Sequence, residues 1–257
     1  MTSTDLQRRD IVNEYLRRGI HSVSGWCIPQ LWQTIWPLAS EIGDGPVAEI
    51  GVFEGKFFIG LCKTFGVSEN NRALAVDVFD MQKFNLDGSG AGNLTRFKEN
   101  LNLNGIDVSS VRILQADSLS LCRRDAETLT AEHGKYRFFS IDGCHEVAHT
   151  THDIEFAMGA TAPEGIIAVD DYNNPNWPGV QEAVAKMYLL RDFAFVPLAV
   201  TCNKLFLCSY SLQKQYIELI LHYLQSFHPD SRIKQVRRFG YDTLTVQPKL
   251  DRWQDLR

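Results

Sequence analysis

The chain has 257 residues, 44% hydrophobic and 22% charged, enough apolar material for one α/β domain with additions. With 26 Lys and Arg against 31 Asp and Glu its net charge is -5, which argues against a nucleic-acid partner needing a basic face. Its polar opening MTSTDLQRRDIVNEYLRRG lacks a signal-peptide core, no run is long enough to span a bilayer, and six cysteines lie without paired spacing. A cytoplasmic protein with reduced thiols and no membrane partner is expected.

In chain order, a helical region over about residues 5–42 comes first and carries Trp26, Trp32 and Trp36. These rings either anchor the region on the core or cap a substrate mouth. Five mostly apolar runs follow, each ending in acid or glycine: VAEIG at 47–51, ALAVD at 73–77, VRILQAD at 111–117, FFSID at 138–142 and GIIAVDD at 165–171. Near-continuous apolar runs are the pattern of strands covered on both faces. Segments of helical length lie between and after them, at 55–65, 92–104, 120–133, 148–160 and 179–191. The alternation predicts an α/β, Rossmann-like doubly wound sheet. Runs at 193–200 and 204–210 are joined by only Thr201-Cys202-Asn203, which forces an antiparallel hairpin and so one antiparallel strand in a mostly parallel sheet. An amphipathic helix at 212–227 and a candidate extra strand at 240–247 complete the chain, and the tail bases Arg232, Lys234, Arg237 and Arg238 read as a solvated face.

Ligands of open α/β sheets bind beyond the carboxyl ends of the strands, so the acidic endings share the functional edge. The first ending is Glu49-Ile50-Gly51-Val52-Phe53-Glu54-Gly55, where Gly51 permits a tight turn and Gly55 a close approach. Asp77 at the second ending can accept hydrogen bonds from both hydroxyls of a ribose. A dinucleotide site wants G-x-G-x-x-G, and Phe53 stands where the central glycine would let a pyrophosphate approach. Altogether the pattern resembles class I S-adenosylmethionine-dependent methyltransferases, whose first motif is acid-x-Gly-x-x-x-Gly. The resemblance implies that Glu49, Gly51 and Gly55 frame the methionine portion, that Asp77 holds the ribose, and that Asp117 and Ser118 sit beside the adenine.

The fourth and fifth runs end in Asp142-Gly143-Cys144-His145 and Asp170-Asp171-Tyr172. On neighbouring strands three carboxylates would converge, and a raised pKa or a hard divalent cation such as Mg²⁺ would relieve their repulsion. IDGCH and DDYNNPNWPGV resemble the metal-dependent O-methyltransferases of sugars in macrolide, aminocoumarin and surface-glycan pathways, over about residues 45–210. More distantly they resemble the cation-dependent catechol-type enzymes. That resemblance implies metal ligation by Asp142, Asp170 and Asp171, His145 as general base, and a small-molecule hydroxyl, foremost a carbohydrate, as acceptor. It divides the chain into an N-terminal helical cap (1–44), a methyltransferase domain (45–210) and a C-terminal extension (211–257). The extensions serve as lids or as contacts in a homo-oligomer. Asn173, Asn174 and Trp177 are either acceptor lining or turn chemistry.

His145-Glu146-Val147-Ala148-His149 also spells H-E-x-x-H, which on one long helix would mark a zinc peptidase. Here the first histidine follows a strand-ending turn, so His149 and the nearby His152 are expected on the solvated side of a helix. A non-catalytic adenosine-binding module is the remaining alternative.

Overall fold

The five acid- or glycine-ended runs become parallel strands, and the two runs after them a hairpin. The computed structural model describes residues 3–190 and 193–249. In chain order the elements are α1 (Ser3–Arg17), α2 (Trp32–Ile42), β1 (Val47–Ile50), α3 (Lys56–Phe65), β2 (Ala73–Asp77), α4 (Leu94–Leu103), β3 (Val111–Gln115), α5 (Arg123–His133) and β4 (Tyr136–Ile141). Then come α6 (Val147–Ala160), β5 (Thr161–Val169), α7 (Pro178–Leu190), β6 (Phe195–Thr201), β7 (Lys204–Ser209), α8 (Gln213–Phe227), β8 (Arg232–Arg238) and β9 (Tyr241–Gln247), with short 3-10 turns between elements.

One nine-stranded sheet runs β3-β2-β1-β4-β5-β7-β6-β9-β8. Strands β3, β2, β1, β4 and β5 are parallel, and β7 lies antiparallel to both β5 and β6. This is the doubly wound sheet with its hairpin. The C-terminal extension adds more than one strand: β9 pairs parallel to β6, and β8 closes the edge antiparallel to β9. Strand β8 reads RIKQVRR and is mostly exposed, so Arg232, Lys234 and Arg237 form a charged edge, a usual guard against edge-to-edge pairing, whereas Arg238 turns inward and donates to the Tyr172 hydroxyl at 2.7 Å.

Successive strand residues point to opposite faces, which builds two cores. On one face Ala73, Ala75, Phe138, Ile166 and Phe206 pack with residues of α1, α2, α3, α4 and α8. On the other, Leu74, Val76, Phe139, Ile167 and Leu207 pack with α5, α6 and α7. The N-terminal helices are fastened to the first layer by hydrogen bonds: Trp32 Nε1 donates to Thr64 at 2.9 Å, Thr34 meets Thr201 at 2.7 Å, and Tyr15 donates to the Lys56 carbonyl at 2.6 Å. Trp32 and Trp36 are buried anchors, whereas Trp26 is 78% exposed. No helix among the described residues is long and apolar enough to cross a membrane.

Candidate active site

Strand order reverses between β1 and β4, and a crevice at such a switch point is where open α/β sheets bind ligands. A cleft of about 1180 Å³ lies there, lined by every site residue read from the sequence except Gly55. Among the described residues, three of the five non-glycine residues with positive φ stand just after the strands that border it: Phe53 at 50°, Phe79 at 45° and Asp171 at 54°. Backbone held in the left-handed region is costly, and its clustering marks a functional edge.

Gly51 (φ 83°) is required by packing, since a Cβ there would stand 1.9 Å from the carbonyl oxygen of Asp142. The ends of β1 and β4 are therefore pressed together backbone to backbone. Gly55 (φ 93°) opens α3, and a Cβ would meet the Phe97 ring at 2.9 Å; the approach expected of a ligand is made by this ring. Phe53 donates its backbone N–H to Asp77 at 2.8 Å. The other Asp77 oxygen accepts from the N–H of Phe79 at 2.6 Å. Each oxygen keeps a second lone pair for a ribose hydroxyl. Burial raises the Asp77 pKa, and these backbone donors oppose the rise.

Glu49 is 1% exposed, yet neither carboxylate oxygen has a hydrogen-bond partner. Burial pushes its pKa up to about 8, against the pull of the Lys204 ammonium. An unanswered buried carboxylate on a cleft wall fits a ligand that brings an ammonium group, as the amino-acid portion of S-adenosylmethionine does. Asp117 caps the following turn by accepting from Leu119, and Ser118 is buried beside it. His149 differs from the expectation of a solvated residue. It is buried, lines the cleft 3.5 Å from Asp117, and neither ring nitrogen is hydrogen-bonded. The reason is packing of α6 against α5 and the turn at Ser118–Ser120, a contact invisible in the motif itself.

At the other end of the cleft stands His145. Its Nδ1 lies 2.6 Å from Asp87, which also accepts the His145 backbone N–H at 2.9 Å. Trp177 stacks on the imidazole with centroids 4.3 Å apart and planes within 14°. Nε2 lies 2.9 Å from an Asp171 oxygen but makes no aligned hydrogen bond. Burial alone would lower the imidazole pKa; Asp171 and Asp87 outweigh it and hold the group above its ordinary value. His145, with Asn174 and Asn203, in turn holds Asp171 below the usual carboxylate range despite its burial. Asn174 thus belongs both to the turn and to the site.

The three strand-end aspartates are not equivalent. Asp170 is 2.7 Å from the ammonium of Lys204, which is 3.8 Å from Asp142 and rests 4.3 Å over the Phe57 ring. Lys204, the first residue of β7, is only 2% exposed. Burial would lower its pKa, but the carboxylates of Asp170, Asp142 and Glu49 raise it instead. Burial, reinforced by Asp170, raises Asp142 well above its usual range. Among the described residues the donors that converge enough to hold a metal are those of Asp142, His145 and Asp171, all within 4.8 Å of one another. The carboxylates of Asp142 and Asp171 suit a hard divalent cation that keeps further waters, with the imidazole beside them. Asp170 borders this set and is engaged by Lys204.

Helix α6 begins at Val147, with Glu146 as its N-cap. His145 is therefore outside the helix that carries His149, and the two do not form the helical pair a zinc peptidase needs. Asp87 and Lys204, which contact His145 and Asp170, are not singled out by the sequence patterns. Asp87 lies in a glycine-rich loop without periodicity; Lys204, a lone lysine opening an apolar strand, was the available signal.

Fold and cleft together define a doubly wound α/β protein with its crevice at the switch point of the sheet. Residues 48–172 match the family model described as a methyltransferase domain. Over that segment the chain is similar to methyltransferase domains, the class implied by its acid- and glycine-ended strands. Solved structures share the fold. The O-methyltransferase NovP aligns at TM-score 0.53 and 15% identity, over 70% of this chain and 78% of that one. An O-methyltransferase from Bacillus cereus in complex with SAH aligns at TM-score 0.51 and 13% identity, over 80% and 96%. No curated protein sequence matches at a significant level.

Proposed function

We propose that the chain transfers the methyl group of S-adenosylmethionine to a hydroxyl of a small molecule, with His145 as general base. The observation that carries this reading is the buried, unpaired Nε2 of His145, facing Asp171 in the same cleft as Glu49 and Asp77. The acceptor class is carbohydrate: the exposed Trp26 ring and the amides of Asn173, Asn174, Asn203 and Gln247 line the cleft, a flat apolar surface with polar groups around it.

Glu49 answers the ligand's ammonium, and Asp77 takes the ribose hydroxyls. Bound S-adenosylmethionine supplies a methyl carbon on a positive sulfonium. A hard divalent cation such as Mg²⁺, held by Asp142 and Asp171 with Asp170 beside them, would lower the pKa of the acceptor hydroxyl. His145 takes that hydroxyl's proton on Nε2 as the C–O bond forms and the C–S bond breaks, leaving S-adenosylhomocysteine. Trp177 keeps the imidazole plane fixed while Asp171 stabilises the imidazolium. Proton removal of this kind contributes about 10²–10⁴ in rate.

Calorimetric titration with S-adenosylhomocysteine and with NAD tests the ligand: heat from the first and none from the second is expected, and the reverse overturns the reading. Methyl transfer from labelled S-adenosylmethionine to a panel of sugars should stop in EDTA and return with Mg²⁺. His145→Ala should lower turnover by about 10²–10⁴ and leave S-adenosylhomocysteine affinity unchanged. Full turnover in His145→Ala would end its role as base.

A further inference from the structure

The loop between β2 and α4 places a carboxylate directly behind the imidazole. Asp87, whose side chain is 3% exposed, uses both oxygens fully. One accepts the backbone N–H and the hydroxyl of Ser89, at 2.8 and 2.7 Å. The other accepts the backbone N–H of His145 at 2.9 Å and lies 2.6 Å from its Nδ1. Four contacts leave the carboxylate no freedom to rotate. The donors at His145 and Ser89 outweigh burial and keep its pKa low, so Asp87 accepts from Nδ1 and does not donate to it.

An imidazole has two nitrogens, and only the unprotonated one can act as base. We propose that Asp87 is a positioning residue that fixes the proton of neutral His145 on Nδ1, so that Nε2 is the basic atom presented to the cleft. The inference rests on the reading of His145 as the general base. Asp87 never receives the proton: Nε2 gains the acceptor's proton, the Nδ1–H bond stays intact, and the carboxylate stabilises the imidazolium that results. Because Asp87 is 58 residues from His145 and lies among cleft-lining residues Phe84, Asn85, Ser89 and Gly90, the loop that borders the ligand also sets the base's tautomer.

The experiment is nitrogen NMR of the full chain labelled with ¹⁵N-histidine and saturated with S-adenosylhomocysteine, recorded at a pH above which the imidazole signals no longer move. In the parent protein Nδ1 of His145 should give the signal of a protonated nitrogen and Nε2 that of an unprotonated one. Asp87→Asn, whose amide can donate to Nδ1, should exchange the two signals; Asp87→Glu, which keeps an acceptor, should leave them as in the parent. Asp171→Asn should leave the proton on Nδ1. A parent spectrum with the proton on Nε2, or an unaltered Asp87→Asn spectrum in a protein that still melts cooperatively, overturns the proposal. If Asp87→Asn fails to fold, the parent and Asp87→Glu spectra decide. Full turnover in His145→Ala, by contrast, would remove the base reading without touching the tautomer result.

Discussion

At the ends of β2 and β3 two acids of the cleft are held by backbone: Asp77 by the N–H groups of Phe53 and Phe79, Asp117 in its own turn. Around β4, β5 and β7 the site residues are held by other side chains, namely Asp87 on His145, Asn174 and Asn203 on Asp171, and Lys204 on Asp170 and Asp142. Backbone donors are present whatever the residue, so the cofactor end tolerates a side chain as large as that of Phe53. Side-chain partners must each be encoded, so the chemistry end is fragile: removing one strands another in a low dielectric.

The largest expected effect probes the cofactor end. Asp77→Ala removes two charge-assisted hydrogen bonds to a ribose, each worth about 1.5–3 kcal/mol. S-adenosylhomocysteine should bind about a hundredfold or more weakly in calorimetry, with cooperative melting checked in parallel because the N–H groups of Phe53 and Phe79 lose their acceptor. Affinity within threefold of the parent would show that the ribose is held elsewhere.

Lys204→Met tests the other end. Removing one partner of a buried ion pair costs about 3–5 kcal/mol, and here it leaves the carboxylates of Asp170, Asp142 and Glu49 facing one another. Urea unfolding should show a loss of that size, and Lys204→Arg should recover part of it. An unchanged midpoint for Lys204→Met would mean the acids need no internal cation.

A smaller effect links the two ends through Glu49. Its pKa is about 8 in the fold against 4.5 for the free side chain. Below the lower value both states are protonated; as pH rises between the two, the unfolded chain releases a proton the fold retains. Stability of the ligand-free protein should therefore fall over that window, by at most a few kcal/mol at roughly 1.4 kcal/mol for each tenfold difference in proton affinity. An ammonium beside Glu49 opposes the loss, so S-adenosylhomocysteine should raise the melting temperature more at about pH 8.5 than at about pH 6. Equal shifts would place the ligand's ammonium away from Glu49.

The smallest effect is the sharpest against the peptidase reading. Glu146 is exposed at the cap of α6, and Glu146→Gln should change stability by about 0.5 kcal/mol or less and methyl transfer by no more than a few-fold. Loss of activity there would revive the zinc motif.

Much of the molecule was legible from residue order alone. Apolar runs ending in acid or glycine marked β1 to β5, the three-residue link at 201–203 required the antiparallel β7, and the strand endings placed Glu49, Asp77, Asp117, Asp142, Asp170 and Asp171 along one edge. These follow from local rules, because strand burial, hairpin length and the direction of a parallel sheet leave few choices. Tertiary structure decided what the edge residues touch. Asp142, Asp170 and Asp171 look alike in sequence, but one hairpin turn delivers Lys204 to Asp170 and Asn203 to Asp171. A loop 58 residues upstream delivers Asp87 to His145, and the packing of α6 buries a histidine that its motif left in solvent. Neither loop path nor helix packing has a periodicity to read; each depends on which surfaces meet once the two cores have closed on the sheet.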